Sequence, residues 1–348
     1  MSSSCPIPYH IDFSPLEELN ELKGSKVVLQ LPDGLKQYAD CISRSISEST
    51  GAEVYIDADS SFGSCDLHWP RLAHILGADV VIHIGHTPYP GELASSNVEP
   101  PRGRPRIVYL AAKSKLEITR GMIEESIQLL KGRGAKRLVL TATSQHTHLL
   151  ESLASSLEEH GFEAAIPPPI PPYFEPGQVI GCDYRLARSY AGDAYIIVSG
   201  GVFHALGLYL STLKPVIQLD PYRGEALDRT PEFERVYAVR LYKVSKAMDA
   251  ETWGIIVGSK TGQYRPWLVE SLIRLIKESG RSYLLYVSEM LNDYVLRNID
   301  TPSIEAWVVT SCPRLPIDDF HSYEKPVLTP GEARMALQGR LEPYIFPW

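Results

Sequence analysis

One order of segments recurs three times along the 348 residues of the chain. Residues 26–34 read as an apolar strand running into a tight turn, followed by a helical stretch and a second strand at 51–56. The succession begins again at 137–143, continues through a helix at 148–160 and resumes as a strand at 161–166. The third pass has strands at 254–259 and 280–286 around a helix at 266–279. Short apolar runs at 78–84, 193–199 and 304–310 supply a third strand in each pass. Runs at 106–110, 215–219 and 325–328 supply a fourth. Short apolar strands alternating with amphipathic helices point to parallel sheets covered by helices. Each period is about 110 residues, enough for a small domain.

The expected fold class is therefore α/β, with three homologous domains, each a small parallel sheet flanked by helices, around a shared centre. Expected boundaries are 1–113, 114–245 and 246–348. Residues 167–172, five prolines in six positions, exclude an internal strand or helix there and read as a stiff connection. Residues 85–105 read as the corresponding long loop of the first domain. Helical stretches near 118–131 and 242–250 read as joints, and 341–348 as an apolar tail.

Composition removes several function classes. The formal net charge is -8, from 34 basic and 42 acidic side chains, which gives no general attraction to phosphate backbones or anionic lipid. Direct nucleic-acid binding is not expected. No run approaches the roughly 20 apolar residues that cross a bilayer, and the first residues lack a basic and an apolar region of the secretory kind. A cytoplasmic protein without membrane contact is expected.

The five cysteines, at 5, 41, 65, 182 and 312, are too few and too dispersed for a disulfide scaffold. Cys65 lies in Gly63-Ser64-Cys65-Asp66 and Cys182 in Gly181-Cys182-Asp183, each ahead of an expected helix. Cys312 follows the strand at 304–310 directly. In parallel α/β folds the carboxyl ends of strands face the binding site, and a helix N-terminus favours thiolate. One cysteine per domain suits a metal shared among three domains. Each also suits a small buried apolar position. Cys41 reads as a packing residue of a helix, and Cys5 receives no role. If three thiolates bind metal, zinc with an open fourth site and a [4Fe–4S] cluster with one open iron both remain open. His68, His83, His86, His146, His148 and His204 near these loops keep zinc in contention.

The ordered motifs carry a resemblance. They are Leu31-Pro32-Asp33-Gly34, the Cys65 motif, His83-Ile84-Gly85-His86, the Cys182 motif and Ser199-Gly200-Gly201-Val202-Phe203-His204. Asp220-Pro221-Tyr222, Gly258 through Gln263, Ser311-Cys312-Pro313-Arg314 and the run from Lys325 to Pro330 complete the set. Together they resemble the archaeal members of the diphthamide biosynthesis protein family, homodimeric relatives of paired eukaryotic subunits. The resemblance implies that Cys65, Cys182 and Cys312 hold a [4Fe–4S] cluster. It implies a 2-(3-amino-3-carboxypropyl)histidine synthase, in which reductive cleavage of S-adenosylmethionine gives a 3-amino-3-carboxypropyl radical. That group is transferred to a histidine of translation elongation factor 2, the first step of diphthamide biosynthesis. Implied partners are a second copy of the chain, elongation factor 2 and an electron donor. Cofactor-contacting positions expected on this basis are Asp33, Gly34, Gly200, Gly201, His204, Asp220, Gly262, Gln263 and Arg265.

Three rival readings stand beside it. A quinolinate-synthase-like dehydratase also sets three cysteines around a [4Fe–4S] cluster, without reductant or S-adenosylmethionine. A zinc hydrolase is a weaker alternative. A non-catalytic module that binds the elongation factor would keep its cysteines for stability alone.

Overall fold

In the computed structural model residues 6–17, 22–89 and 105–348 are described. The chain forms two compact units, one of residues 1–117, 144–149 and 169–176, the other of residues 118–143, 150–168 and 177–348.

The first unit contains β1 (Tyr9–Ile11), α1 (Ser14–Glu17), β2 (Lys26–Gln30), α2 (Ala39–Thr50), β3 (Glu53–Ile56), α3 (Trp69–Leu76), β4 (Val80–Ile84), β5 (Arg106–Leu110) and β6 (Ala112–Ser114). A parallel sheet has the order β3-β2-β4-β5, while β1 and β6 pair as an antiparallel ribbon. Every residue of β4 is buried, as a parallel strand covered on both faces requires. Ile42 and Ile46, one turn apart on α2, join Val27 and Leu29 of β2 in one core. Fully burying each such side chain stabilises by about 1.5–3 kcal/mol. Gly51 ends α2 in the left-handed conformation at φ 67°, where a side chain would strain the backbone.

The second unit carries two sheets. Its elements are α4 (Arg120–Gly132), β7 (Arg137–Ala142), α5 (Leu150–Glu158), β8 (Glu163–Ala165), α6 (Arg185–Arg188), β9 (Ala194–Val198), α7 (Phe203–Thr212), β10 (Val216–Asp220) and β11 (Glu225–Asp228). There follow α8 (Thr230–Ala247), β12 (Thr252–Gly258), α9 (Pro266–Glu278), β13 (Ser282–Ser288), α10 (Asp293–Ile299), β14 (Ala306–Val309), β15 (Val327–Leu328) and α11 (Pro330–Leu337). The sheets have the orders β8-β7-β9-β10-β11 and β13-β12-β14-β15. All pairings in them are parallel except β10 with β11. In all three sheets the first four strands of the local segment therefore lie in the order second, first, third, fourth. The twelve strands expected from sequence are present; β11 and the β1–β6 ribbon are additions.

The stretch at 242–250, expected as a joint, is mostly the end of α8. Phe233 of that helix packs in the core around β9, and its Val244 and Ala247 in the core around β12. Arg240, buried on the same helix, pairs with buried Glu332 of α11 at 2.6 Å. The apolar tail packs on the same unit: Phe346 lies in the core around β9, and Tyr344 and Ile345 lie against that around β12. Cys41, read as a packing residue, is disulfide-bonded instead. Most of the loop expected at 85–105 falls outside the described residues. No helix among the described residues is long and apolar enough to cross a membrane.

Candidate functional site

Cys182 occupies a tight turn beside the carboxyl end of β7. The chain reaches that edge where Gln178 bridges to Ala142, and Ile180 and Asp183 then bond reciprocally through their backbones, at 3.3 and 2.9 Å. A Cβ on Gly181 would stand 2.2 Å from the Phe203 ring, so the residue before Cys182 must be glycine for this turn to seat. Cys312 lies three residues beyond the buried end of β14. Gly258, at the end of β12, gives that loop room, since a Cβ there would meet Ser311 Cβ at 2.4 Å.

Two side chains tie these loops together within the second unit. The guanidinium of Arg265, buried ahead of α9, donates through Nη1 to the carbonyls of Thr310 and Ser311 at 3.0 and 2.6 Å. It also lies 4.3 Å from the centre of the Trp348 ring. Trp348 Nε1 in turn donates to the Cys182 carbonyl at 3.2 Å. Both thiols act on one buried phenol: burial first, then negative charge at Cys182 and Cys312, pushes Tyr184 well above the ordinary tyrosine range.

In the first unit, Cys65 sits in a turn after β3 and four residues ahead of α3, closed by Asp66 N–H donating to Gly63 O at 2.9 Å. Gln30, the last residue of β2, donates to Asp66 O at 2.9 Å. His68 stands between two buried carboxylates, Nδ1 at 2.6 Å from Asp57 and Nε2 at 3.3 Å from Asp66. Asp57 and then Asp66 raise its pKa to about 9, so it is an imidazolium at neutral pH. Ligand atoms of Asp57, Asp59 and His68 lie within 4.8 Å of one another. His68 bridges Asp57 and Asp66, and Asp59 pairs with Arg71, so the group reads as a charge-balanced strap on the Cys65 turn.

A profile of the diphthamide synthesis protein family matches residues 31–345. The chain belongs to this family. It is 34% identical to the 2-(3-amino-3-carboxypropyl)histidine synthase of Pyrococcus horikoshii over 331 residues, 95% of this chain and 91% of that protein. Against subunit 1 of the human enzyme of that name it is 28% identical, over 92% of this chain and 70% of the relative. The crystal structure of Dph2 from Pyrococcus horikoshii with a 4Fe-4S cluster superposes with a TM-score of 0.80 at 32% identity, covering 97% of this chain and 94% of that one.

Other positions that the diphthamide synthesis family resemblance singled out fall at carboxyl ends of strands. Gly200 and Gly201 turn the chain from β9 into α7. The Tyr222 ring would meet a Cβ on Gly200 at 2.7 Å, and Gly201 has φ 71°. Gln218 pins the turn by donating to Gly201 O at 2.6 Å. His204, in the first turn of α7, faces the Phe203 ring edge-on at 5.7 Å. Asp220 is buried and caps the β10–β11 turn, its Oδ1 accepting from Tyr222 and Arg223 N–H at 3.0 and 3.3 Å. Gly262 and buried Gln263 lie in the turn before α9, next to Arg265. In the first unit Asp33 and Gly34 open the turn after β2; Asp33 pairs with Lys36 at 3.0 Å, which lowers its pKa.

The histidines do not form a zinc set among the described residues. His83 and His86 hydrogen-bond to each other at 2.9 Å, and His83 also meets Gln30 at 3.2 Å. Burial holds both below the ordinary histidine range, His86 at about 4. Trp348, Tyr184 and the strap residue Asp57 escaped sequence reasoning. The one available signal for Trp348 was the apolar character of its tail.

Proposed function

We propose that this chain is a 2-(3-amino-3-carboxypropyl)histidine synthase acting on a histidine of translation elongation factor 2. The observation that carries the reading is the set Cys65, Cys182 and Cys312. All three are half-buried, and they lie in loops beyond the carboxyl ends of parallel strands, in a chain that aligns almost end to end with a cluster-bearing relative. Three sulfur donors fit an iron–sulfur cluster with one iron left open. In this reading the chain has three homologous domains, 1–113, 114–245 and 246–348, each giving one cysteine to a shared cluster. The common strand order of the three sheets supports that division.

When bound, the reduced cluster supplies the electron that cleaves the methionine-side carbon–sulfur bond of S-adenosylmethionine. The chain's residues do the positioning and insulation. The Gly200-Gly201 turn lets backbone approach the cosubstrate, with His204 at the start of the following helix. Asp33, Gly34, Asp220, Gly262, Gln263 and Arg265 are proposed to line the same cosubstrate site. Arg265 has a second task, since its Nη1 already fixes the backbone beside Cys312. The partners in this reading are a second copy of the chain, elongation factor 2 and an electron donor, in the cytoplasm.

Anaerobic reconstitution of the three single cysteine-to-alanine variants tests it. Cys65→Ala, Cys182→Ala and Cys312→Ala should each lose the cluster's visible absorbance and its iron, while Cys41→Ala keeps both. Wild-type iron content and activity in Cys182→Ala would refute the assignment.

A further inference from the structure

β13 is the longest strand of its sheet together with β12, yet it is the edge, paired only with β12 among the described residues. Its sequence, Ser282-Tyr283-Leu284-Leu285-Tyr286-Val287-Ser288, has neither charge nor proline. Solvent-exposed edge strands ordinarily carry lysine, proline or a bulge, which block pairing with another chain. Here both faces are apolar and open: Leu284 is 44% exposed, Leu285 52% and Val287 74%. Met290 and Tyr294, just beyond the strand, are 50% and 74% exposed. A lone edge packed on one face would alternate apolar with polar, and this one does not.

We propose that the outer edge of β13 pairs antiparallel with the same strand of a second copy, joining two four-stranded sheets across a two-fold axis at Leu285. The inference rests on the homodimer reading above and adds the face through which it assembles. The register follows from self-complementarity. With Leu285 opposite its own copy, Leu284 meets the partner's Tyr286, Tyr283 meets the partner's Val287, and the two end serines meet each other. The residues flanking the strand complete the match. Arg281 falls opposite the partner's Glu289, placing opposite charges at both ends of the ribbon, whereas no like charges face each other within it.

Size-exclusion chromatography with light scattering on the full chain tests this, together with crosslinking. Wild type should be a dimer. Leu285→Glu sets two carboxylates against each other on the axis and should weaken the dimer by about a hundredfold or more, leaving a folded monomer because the site is half-exposed. Leu285→Cys should form a covalent dimer on mild oxidation, since directly opposed residues lie about 4.5–5.5 Å apart at Cα, within disulfide range. Tyr283→Cys should form none, because its copy lies about four residues further along the strand, roughly 13 Å. A monomeric wild type would overturn both the homodimer reading and the inference. A dimeric wild type with a dimeric Leu285→Glu and no crosslink at position 285 would overturn the inference alone.

Discussion

Trp348 Nε1 donates to the carbonyl of Cys182 at 3.2 Å, and the same indole ring stacks against Arg265, whose Nη1 holds the carbonyl of Ser311 at 2.6 Å. One side chain thus links the loops of two proposed cluster ligands 130 residues apart in sequence. The hydrogen bond and the cation–π contact each contribute about 1 kcal/mol. Trp348→Ala should accelerate loss of iron to a chelator by about tenfold while leaving the melting temperature of the metal-free protein close to wild type. Trp348→Phe keeps a ring over Arg265 and loses the donor, so its release rate should fall between the two. Chelator-trapping kinetics measure this directly.

His68 makes stability depend on pH with a definite sign. Its folded-state pKa is raised to about 9 from an ordinary 6.5. The stabilisation by Asp57 and Asp66 is therefore present in full below about pH 6.5 and is lost as pH rises through about 9. The melting-temperature advantage of wild type over His68→Gln should shrink steadily across that window. An advantage that grew with pH would mean that the imidazole is neutral in the folded state.

Arg240 and Glu332 form a fully buried ion pair at 2.6 Å, and Glu332 also closes the capping box of α11 with Thr329. Removing one partner strands a buried charge. Arg240→Met should destabilise the protein by about 3–5 kcal/mol in urea unfolding, and Arg240→Met with Glu332→Leu should recover part of that loss. Equal destabilisation by the single and double variants would show that the pair's charges are not coupled.

Sequence reveals the sheets because their central strands are short, wholly apolar runs such as Val80–Ile84 and Ala194–Val198, which only burial on two faces explains. β11 escapes because Glu225–Asp228 carries charge at both ends and is held by pairing to β10, not by burial. The three cysteines stand out through their glycine and proline neighbours. The contacts that hold their loops are invisible to any local pattern: Trp348 reaches Cys182 across 166 residues, and Arg265 reaches Ser311 across 46. The strap of Asp57, His68 and Asp66 spans a loop whose path periodicity does not specify. Arg265 reads in sequence as a cosubstrate residue, and its hydrogen bonds to the Cys312 loop become evident only when the strand ends are set side by side.

The central claim is the direction of S-adenosylmethionine cleavage, and mass spectrometry of its products tests it most directly. Anaerobically reconstituted protein would be given S-adenosylmethionine and dithionite, with and without elongation factor 2. The expected products are methylthioadenosine and, with the factor present, a 3-amino-3-carboxypropyl group on one of its histidines. Reductant-dependent 5′-deoxyadenosine, or no cleavage by protein carrying an intact [4Fe–4S] cluster, would contradict the account.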